Sequence, residues 1–431
     1  MCSSDLVLQG IADRLHKVLP RSPEVARSRD QIAARIQQGP VAPDLAAADW
    51  IAPPENNAWG LAIRWLAGHP ALRFATEEAA KTWKSHPGQF FSAVGLALQG
   101  LGYGSIELNL TPDEQRSRLL GGLSKAFRKS PSSIWGIDIG ASSIKAVRIS
   151  VDRASESLTV DQCELIDYPR SWMTWSPDQA ETERRKMLQL FVERNGVRGE
   201  SAVVGIPGSQ LLAKLVSVPR GAGKKMESLV EYEARQQIPV PLEELVWDYA
   251  EMPAAGEANT LRLFLIACKK RFVEPWMRMV LDAGFKIEGL QAQPIALHHY
   301  ANHFYGRKLQ EHEAILWFDM GHAETQVLMS GPRTLWFRSL PVGSLDVTRA
   351  LVRELQLSNE DAEYLKRDLL RSRRLQPASK VMQSAFKRLH AEMARSVQLA
   401  TSQHAGCVVR SAHVCGGGAR VHGWIDSLRL E

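Results

Sequence analysis

Long apolar runs are missing from this 431-residue chain. Nothing approaches the roughly 18 apolar residues of a membrane span. Cysteine is sparse: Cys2, Cys163, Cys268, Cys407 and Cys415 are scattered, with no Cys-x-x-Cys pair and no histidine at ligand spacing. That excludes a disulfide framework and a zinc site, and it fits a reducing cytosol. An excess of one charge is lacking too. Lys and Arg number 53 against 47 Asp and Glu, and a net +6 gives no argument for nucleic acid. The most basic run, KRDLLRSRRL (Lys366 to Leu375), reads as a solvated helix face, with a surface for anionic lipid or a partner as the lesser reading. The first residues, MCSSDLVLQG, lack the basic start and long apolar stretch of a signal peptide. MCSSDL is similar to the translation of a common sequencing adaptor, which leaves the true N-terminus open.

What is present is an ordinary globular composition, 45% apolar and 23% charged, in a length that holds two or three domains. Up to about residue 112 motifs are few. LVLQGIADRLHKVL has helical periodicity, GPVAPDLAAADWIAPPENN is loop-like, FFSAVGLALQGLG is a small-residue helix ending at glycine, and SIELNL alternates as a short strand. Residues 113–133 turn polar and basic and read as a linker.

Past the linker two stretches repeat one device. GIDIGASSIKA and WFDMGHAETQV each run apolar strand, Asp-x-Gly, small polar tip, second strand. A glycine turn, CGGGA, follows further on. One such hairpin is only a turn. Two of them with a Gly-Gly-Gly-Ala strand-to-helix junction describe a nucleotide cleft between related halves. Phosphate oxygens need backbone N–H groups, so the tips at Gly140, Ala141, Ser142, Ser143 and at Gly321 must be small. Ser142, Ser143 and Thr325 can add hydroxyl donors. Asp138 and Asp319, at the strand ends, can hold a hydrated Mg²⁺. Lys145 can neutralise phosphate if it turns inward, and Gly416, Gly417 and Gly418 let the backbone approach adenine or ribose.

Other residues read more plainly. His322, His390, His404, His413 and His422 lack ligand spacing, so no transition metal is expected. Trp317 and Trp336 belong to core strands. Glu231, Glu233 and Glu244 suit an amphipathic surface better than acid–base work.

Taken together, these motifs resemble the actin-like ATPases and, within them, the PilM family of type IV pilus assembly, from about Ile134 to the end. GIDIGASSIKAV resembles that family's first phosphate hairpin. VVGIPGSQLLAKLVSVP and LVEYEARQQIPVPLEELVWDYAEM are similar to its inserted subdomain, and FRSLPVGSLDVTRALVRELQLSNEDAEYLK to its RS-P-G strand and AE-LK helix. The resemblance implies an α/β, actin-like ATPase fold of two RNase H-like halves with an α+β insertion of the FtsA 1C type. The implied division is 134–200 first half, 201–290 insertion, 291–313 return to the first half, and 314–431 second half, apparently truncated. It implies ATP and Mg as cofactors. Glu363 and Lys366 would reach ribose and adenine, Asp138 and Asp319 the metal and phosphates, and Gly416 to Ala419 the nucleoside. The implied role is a cytoplasmic scaffold or switch at the inner face of the inner membrane, in a type IV pilus or type II secretion-like complex. Its partner would be a PilN-like N-terminal peptide, with self-association left open, contact with the membrane only indirect, and no nucleic acid.

Residues 1–112 resemble the C-terminal part of another copy of such a domain. They are expected to pack against the second half in place of its missing tail, whether the chain is a window from a tandem protein or a misassembled gene. IELNLTP is also similar to the INLLP peptide by which PilN docks on PilM. Two departures stand out: His322 occupies a place where glycine is usual, and Gly343-Ser344 replaces a Gly-Gly pair. Both are compatible with nucleotide binding and argue against fast hydrolysis, at most a weak ATPase. No base for water stands out, Glu324 on the turn being read as solvent-facing. The rival readings are an FtsA-like division filament protein, a sugar-kinase-like phosphotransferase, for which no aspartate base has a fitting context, and a decayed nucleotide module.

Overall fold

Alternating apolar residues and tight glycine turns build the sheets of this computed structural model, which describes residues 50–52, 61–112, 131–169, 175–220, 226–252, 260–369 and 375–428. The helix read in LVLQGIADRLHKVL, and the linker up to residue 130, lie outside the described residues.

The early segment carries strands β1 (Trp50–Ala52), β2 (Ile63–Trp65) and β3 (Arg73–Phe74), then helices α1 (Glu77–Ser85) and α2 (Phe91–Gly100). Strand β1 corrects the reading of Gly39–Asn57 as loop-like at its described residues: Trp50, Ile51 and Ala52 pair antiparallel with β2. SIELNL bends at Ser105 and Ile106 and joins no ladder, which corrects its reading as a strand.

The first half is a six-stranded sheet around the hairpin β4 (Ser133–Ile139) and β5 (Ser143–Asp152), in the order β11-β7-β4-β5-β6-β3. Strand β6 is Ser157–Asp167, and helix α3 (Pro177–Asn195) follows, opened by a Ser176 capping box and closed by Gly196 at φ 65. Strand β7 is Ser201–Ile206. The chain then leaves for a three-stranded antiparallel sheet of β8 (Leu211–Pro219), β9 (Leu245–Met252) and β10 (Thr260–Lys269), ordered β8-β10-β9, covered by helix α4 (Met226–Gln237). It returns through helix α5 (Lys270–Ala283), strand β11 (Lys286–Ala292) and helix α6 (Gln293–Tyr305). The insertion is therefore narrower than the expected 201–290, because β7 pairs with β4 and β11 with β7 inside the first-half sheet.

The second half repeats the plan: β12 (Glu313–Met320), β13 (Thr325–Ser330) and β14 (Leu335–Leu340) are antiparallel neighbours. Helices α7 (Ser344–Leu355), α8 (Asn359–Arg367) and α9 (Leu375–Gln403) pack on one face, and β15 (Val408–Cys415) returns parallel to β12 before the short helix α10 (Trp424–Ser427).

Strand β2 continues this second sheet, parallel to β15 through Ala412, His413 and Val414. The expected packing of the early segment on the second half thus holds for this strand. The rest of the segment goes elsewhere: β3 pairs with β6, and α2 lies against β4, β7 and α6 of the first half. Its Gly95 permits the approach, since a Cβ there would fall onto the carbonyl of Ala296. One stretch of chain is therefore built into both halves.

Candidate functional site

The two Asp-x-Gly hairpins close identically. Gly140 N donates to Ser143 O at 2.9 Å, and Gly321 N donates to Glu324 O at 2.9 Å. Each aspartate stands two residues before its glycine, on the last turn of strand before the tip.

In the first hairpin Asp138 faces Lys145 directly across the ladder, and their charged groups lie 3.2 Å apart. Lys145 therefore turns into the cleft, onto the carboxylate. Gln293, the first residue of α6, donates its amide to Asp138 Oδ1. Tyr168 fixes the tip from behind, with its hydroxyl on Gly140 O at 3.0 Å and its N–H on Ser142 O at 3.0 Å. Ser143 is buried in the turn.

Asp319 occupies the floor of the same cleft. Burial, and next the negative charge of Asp138, push its carboxyl up to about 6, with Lys145 working the other way. Ser92 of α2 stands 3.5 Å from Asp319 Oδ2. Gly416 sits immediately behind, at φ +89, where a Cβ would collide with Asp319 Oδ1 and the Met320 backbone. A Cβ at Gly418 would lie 2.6 Å from Gly321 O, so the glycine turn and the second hairpin are pressed together. Gly417 is exposed at the rim, while Ala419 is buried beneath it.

The remaining predicted residues form the adjoining wall. Gly343 lies against the carbonyl of His322, whose Nδ1 is 3.2 Å from Ser344 Oγ. Burial, and then the Lys366 charge, hold His322 down to about 3, so it is neutral at ordinary pH. Lys366 is 3% exposed. Its ammonium donates to Glu363 Oε1 at 2.6 Å, Thr348 Oγ1 at 2.9 Å and Ser344 O at 3.2 Å. Thr348 also donates to Glu363. Burial lowers the Lys366 pKa, with Glu363 opposing; for Glu363 burial pulls upward but Lys366 prevails and lowers it. This corrects the reading of the basic run as a wholly solvated face: its first lysine is core.

Two further corrections concern the second tip. The Thr325 hydroxyl is buried and donates to Val342 O at 2.7 Å, so it braces the turn instead of facing the cleft. Glu324 is not simply turned to solvent. It accepts from Ser209 N at 3.2 Å and from Gln326 Nε2 at 2.8 Å, joining the Gly208–Gln210 turn of the first half to the second.

Asp138, Lys145, Asp319, Gly321 and Gly416–Gly418 thus meet in one crevice between related halves. One ammonium pairs with Asp138, the Asp319 carboxyl is raised to about 6 by burial and by the Asp138 charge, and the glycine backbone leaves a cradle that any side chain would fill. A hydrated divalent cation and phosphate oxygens fit that donor set. Sequence reasoning missed Gln293, Ser92 and Gln89, whose side chain lies beside Gly417. Only α2 and α6 bring them to the crevice. A further hollow of about 490 Å³, between the insertion and the second half, is lined by Arg262, Arg333, His312 and His404 and by none of these residues.

Two RNase H-like halves around such a cleft, with a small inserted sheet, define an actin-like ATPase fold. Residues 136–430 match the family described as type IV pilus assembly protein PilM, and the chain belongs to that family. Among solved structures, the PilM-PilN type IV pilus biogenesis complex is 21% identical, over 69% of this chain and 85% of that one, with a TM-score of 0.57. The ethanolamine utilization protein EutJ from Carboxydothermus hydrogenoformans is 14% identical over 74% and 92%, with a TM-score of 0.40. MreB5 of Spiroplasma citri bound to ADP is 11% identical over 68% and 86%, with a TM-score of 0.37. Among the described residues no helix is long and apolar enough to cross a membrane.

Proposed function

We propose that this chain binds Mg·ATP between its halves and serves as a nucleotide-biased scaffold in a type IV pilus or type II secretion-like inner-membrane assembly. It works at the cytoplasmic face and takes up the N-terminal peptide of a PilN-like membrane partner. The observation that carries the reading is the half-buried Asp319 carboxyl, close enough to Asp138 to feel its charge and backed by Gly416. Asp138 and Asp319 would hold a divalent ion there, and its charge would offset theirs beside the phosphates.

Asp138 and Asp319 would hold that ion, the tips at Gly140–Ser143 and Gly321–His322 would offer N–H groups, and Gly416–Ala419 would border the nucleoside, with the internally bonded Lys366–Glu363 pair packed behind instead of reaching it. Lys145 shifts from Asp138 toward phosphate when the charge arrives. Because the two tips sit on different halves, a ligand gripping both favours closure, and closure moves the insertion relative to the second half. Glu324, the carboxylate on the second tip, is engaged by Ser209 N and Gln326 Nε2, which favours scaffolding over turnover. Calorimetric titration with Mg·ATP, on wild type and Asp319→Ala, followed by phosphate release, tests this. Heat for wild type alone, with little release, is expected; equal heats for both proteins would overturn it.

A further inference from the structure

β11 is the edge strand of the first-half sheet and β9 the edge strand of the inserted sheet, and the seam between them is bridged by Asn109, which bonds to Leu290 and to the Asp248 side chain. An open edge presents unpaired N–H and C=O groups and invites an extended peptide. Here residues 105–112 of the chain itself lie in the seam.

Their pattern is that of a docked peptide. Ile106, Leu108 and Leu110 are buried at alternate positions, at 8%, 2% and 0% exposure, while Ser105 and Glu107 face outward. On the β11 side Leu110 N donates to Leu290 O at 2.8 Å, and Leu290 N donates to Asn109 Oδ1 at 3.1 Å. On the β9 side Asn109 N donates to Asp248 Oδ2 at 2.9 Å. The carbonyl of Leu108 accepts from Gln99 Nε2 at 2.7 Å and Gln291 Nε2 at 3.0 Å. Ser105 N donates to His299 Nδ1 at 3.2 Å.

The hold is made mostly by side chains. One main-chain to main-chain bond joins this segment to β11 among the described residues, whereas β7 pairs with β11 along its whole length. Side-chain clamps of this kind recognise a sequence, aliphatic at alternate places with asparagine before the last, without making it a permanent strand.

We infer that the seam is a peptide channel kept shut in cis. The segment 105–112 occupies it, and a partner's extended peptide of the same chemistry binds by displacing that segment. This rests on the proposal above that the chain receives a partner's peptide, and it adds that reception is competitive and built into the chain.

The test uses the full chain and a fluorescein-labelled peptide of sequence SIELNLTP, read by anisotropy. Three proteins are compared: wild type, Asn109→Ala, which loosens the clasp, and Ile106→Ser/Leu108→Ser/Leu110→Ser, which vacates the seam. Circular dichroism checks that each is folded, and Asn109→Ala alone decides the matter if the triple variant is not. Affinity at least about tenfold tighter for the loosened chain than for wild type is expected. Equal binding to both overturns the cis block and leaves the channel standing. No binding to any folded variant overturns the cis block together with the channel. Hydrogen exchange of Leu290 N–H gives a second readout, expected to quicken in Asn109→Ala and to be protected again by the peptide.

Discussion

The backbone N–H of Gly416 donates to the carbonyl of Gly88 at 2.8 Å, fastening the glycine turn at the end of β15 to the loop that precedes α2. The early segment is thereby part of the wall that also contains Asp319. It positions Gln89 beside Gly417 and Ser92 near Asp319.

Gly416→Ala is the direct test of that wall. At φ 89 and ψ 159, a region essentially confined to glycine, an L side chain costs about 1–3 kcal/mol, before its collision with Asp319 and Met320. Lower stability in a urea melt and at least about a tenfold loss of Mg·ATP affinity by calorimetry are expected. Unchanged affinity in the folded variant would detach the glycine turn from the ligand site.

Asp319 makes the cleft sensitive to pH. Its folded value of about 6 lies above the ordinary 3.8. Between the two, the folded chain keeps a proton that the unfolded chain has released, so this group's contribution to stability falls as pH rises, and the cost is complete above about 6. Asp319→Asn should flatten that trend and raise Tm by about 2–4 °C at pH 8, with no added magnesium. Magnesium should depend on pH the opposite way, since it needs the carboxylate: wild-type Mg·ATP affinity should drop as pH falls through 6.

The buried Lys366–Glu363 pair gives a stability prediction. Lys366→Met leaves Glu363 facing Thr348 without its counter-charge and should cost about 3–5 kcal/mol in denaturant unfolding. Lys366→Met/Glu363→Leu should recover much of that loss, because no lone charge then remains. A single variant as stable as wild type would mean that water already serves Glu363.

Glu324 joins the halves through Ser209, in a partly exposed contact worth about 0.5–1.5 kcal/mol. Glu324→Ala should therefore leave global stability nearly unchanged while speeding hydrogen exchange at Ser209. Exchange as slow as in wild type would remove this contact from the closure of the cleft.

Much of the order was legible along the chain. The hairpin beginning at Ile134 and the one at Glu313 announce themselves through apolar alternation broken by Asp-x-Gly, and the helix read before Asn195-Gly196 ends there, as its capping glycine dictates. Asp138 and Asp319 could be paired because the device occurs twice. Gln293 and Ser92 could not be found this way. Each is a polar residue at or near a helix start, without local pattern, and its relation to an aspartate 155 or 227 positions away exists only after the helices pack.

The sequence by itself determined the two hairpins after the linker and their repeated acid-bearing tips, because alternation and glycine act over a few residues. Tertiary structure alone decided where the early segment goes, with β2 on the second half, α2 in the first, and residues 105–112 between two sheet edges. Local pattern marks Leu108 and Leu110 as apolar and alternating, which suits any sheet. Only the positions of Leu290 and Asp248, brought together by distant chain, determine that they fill a seam instead of extending a ladder.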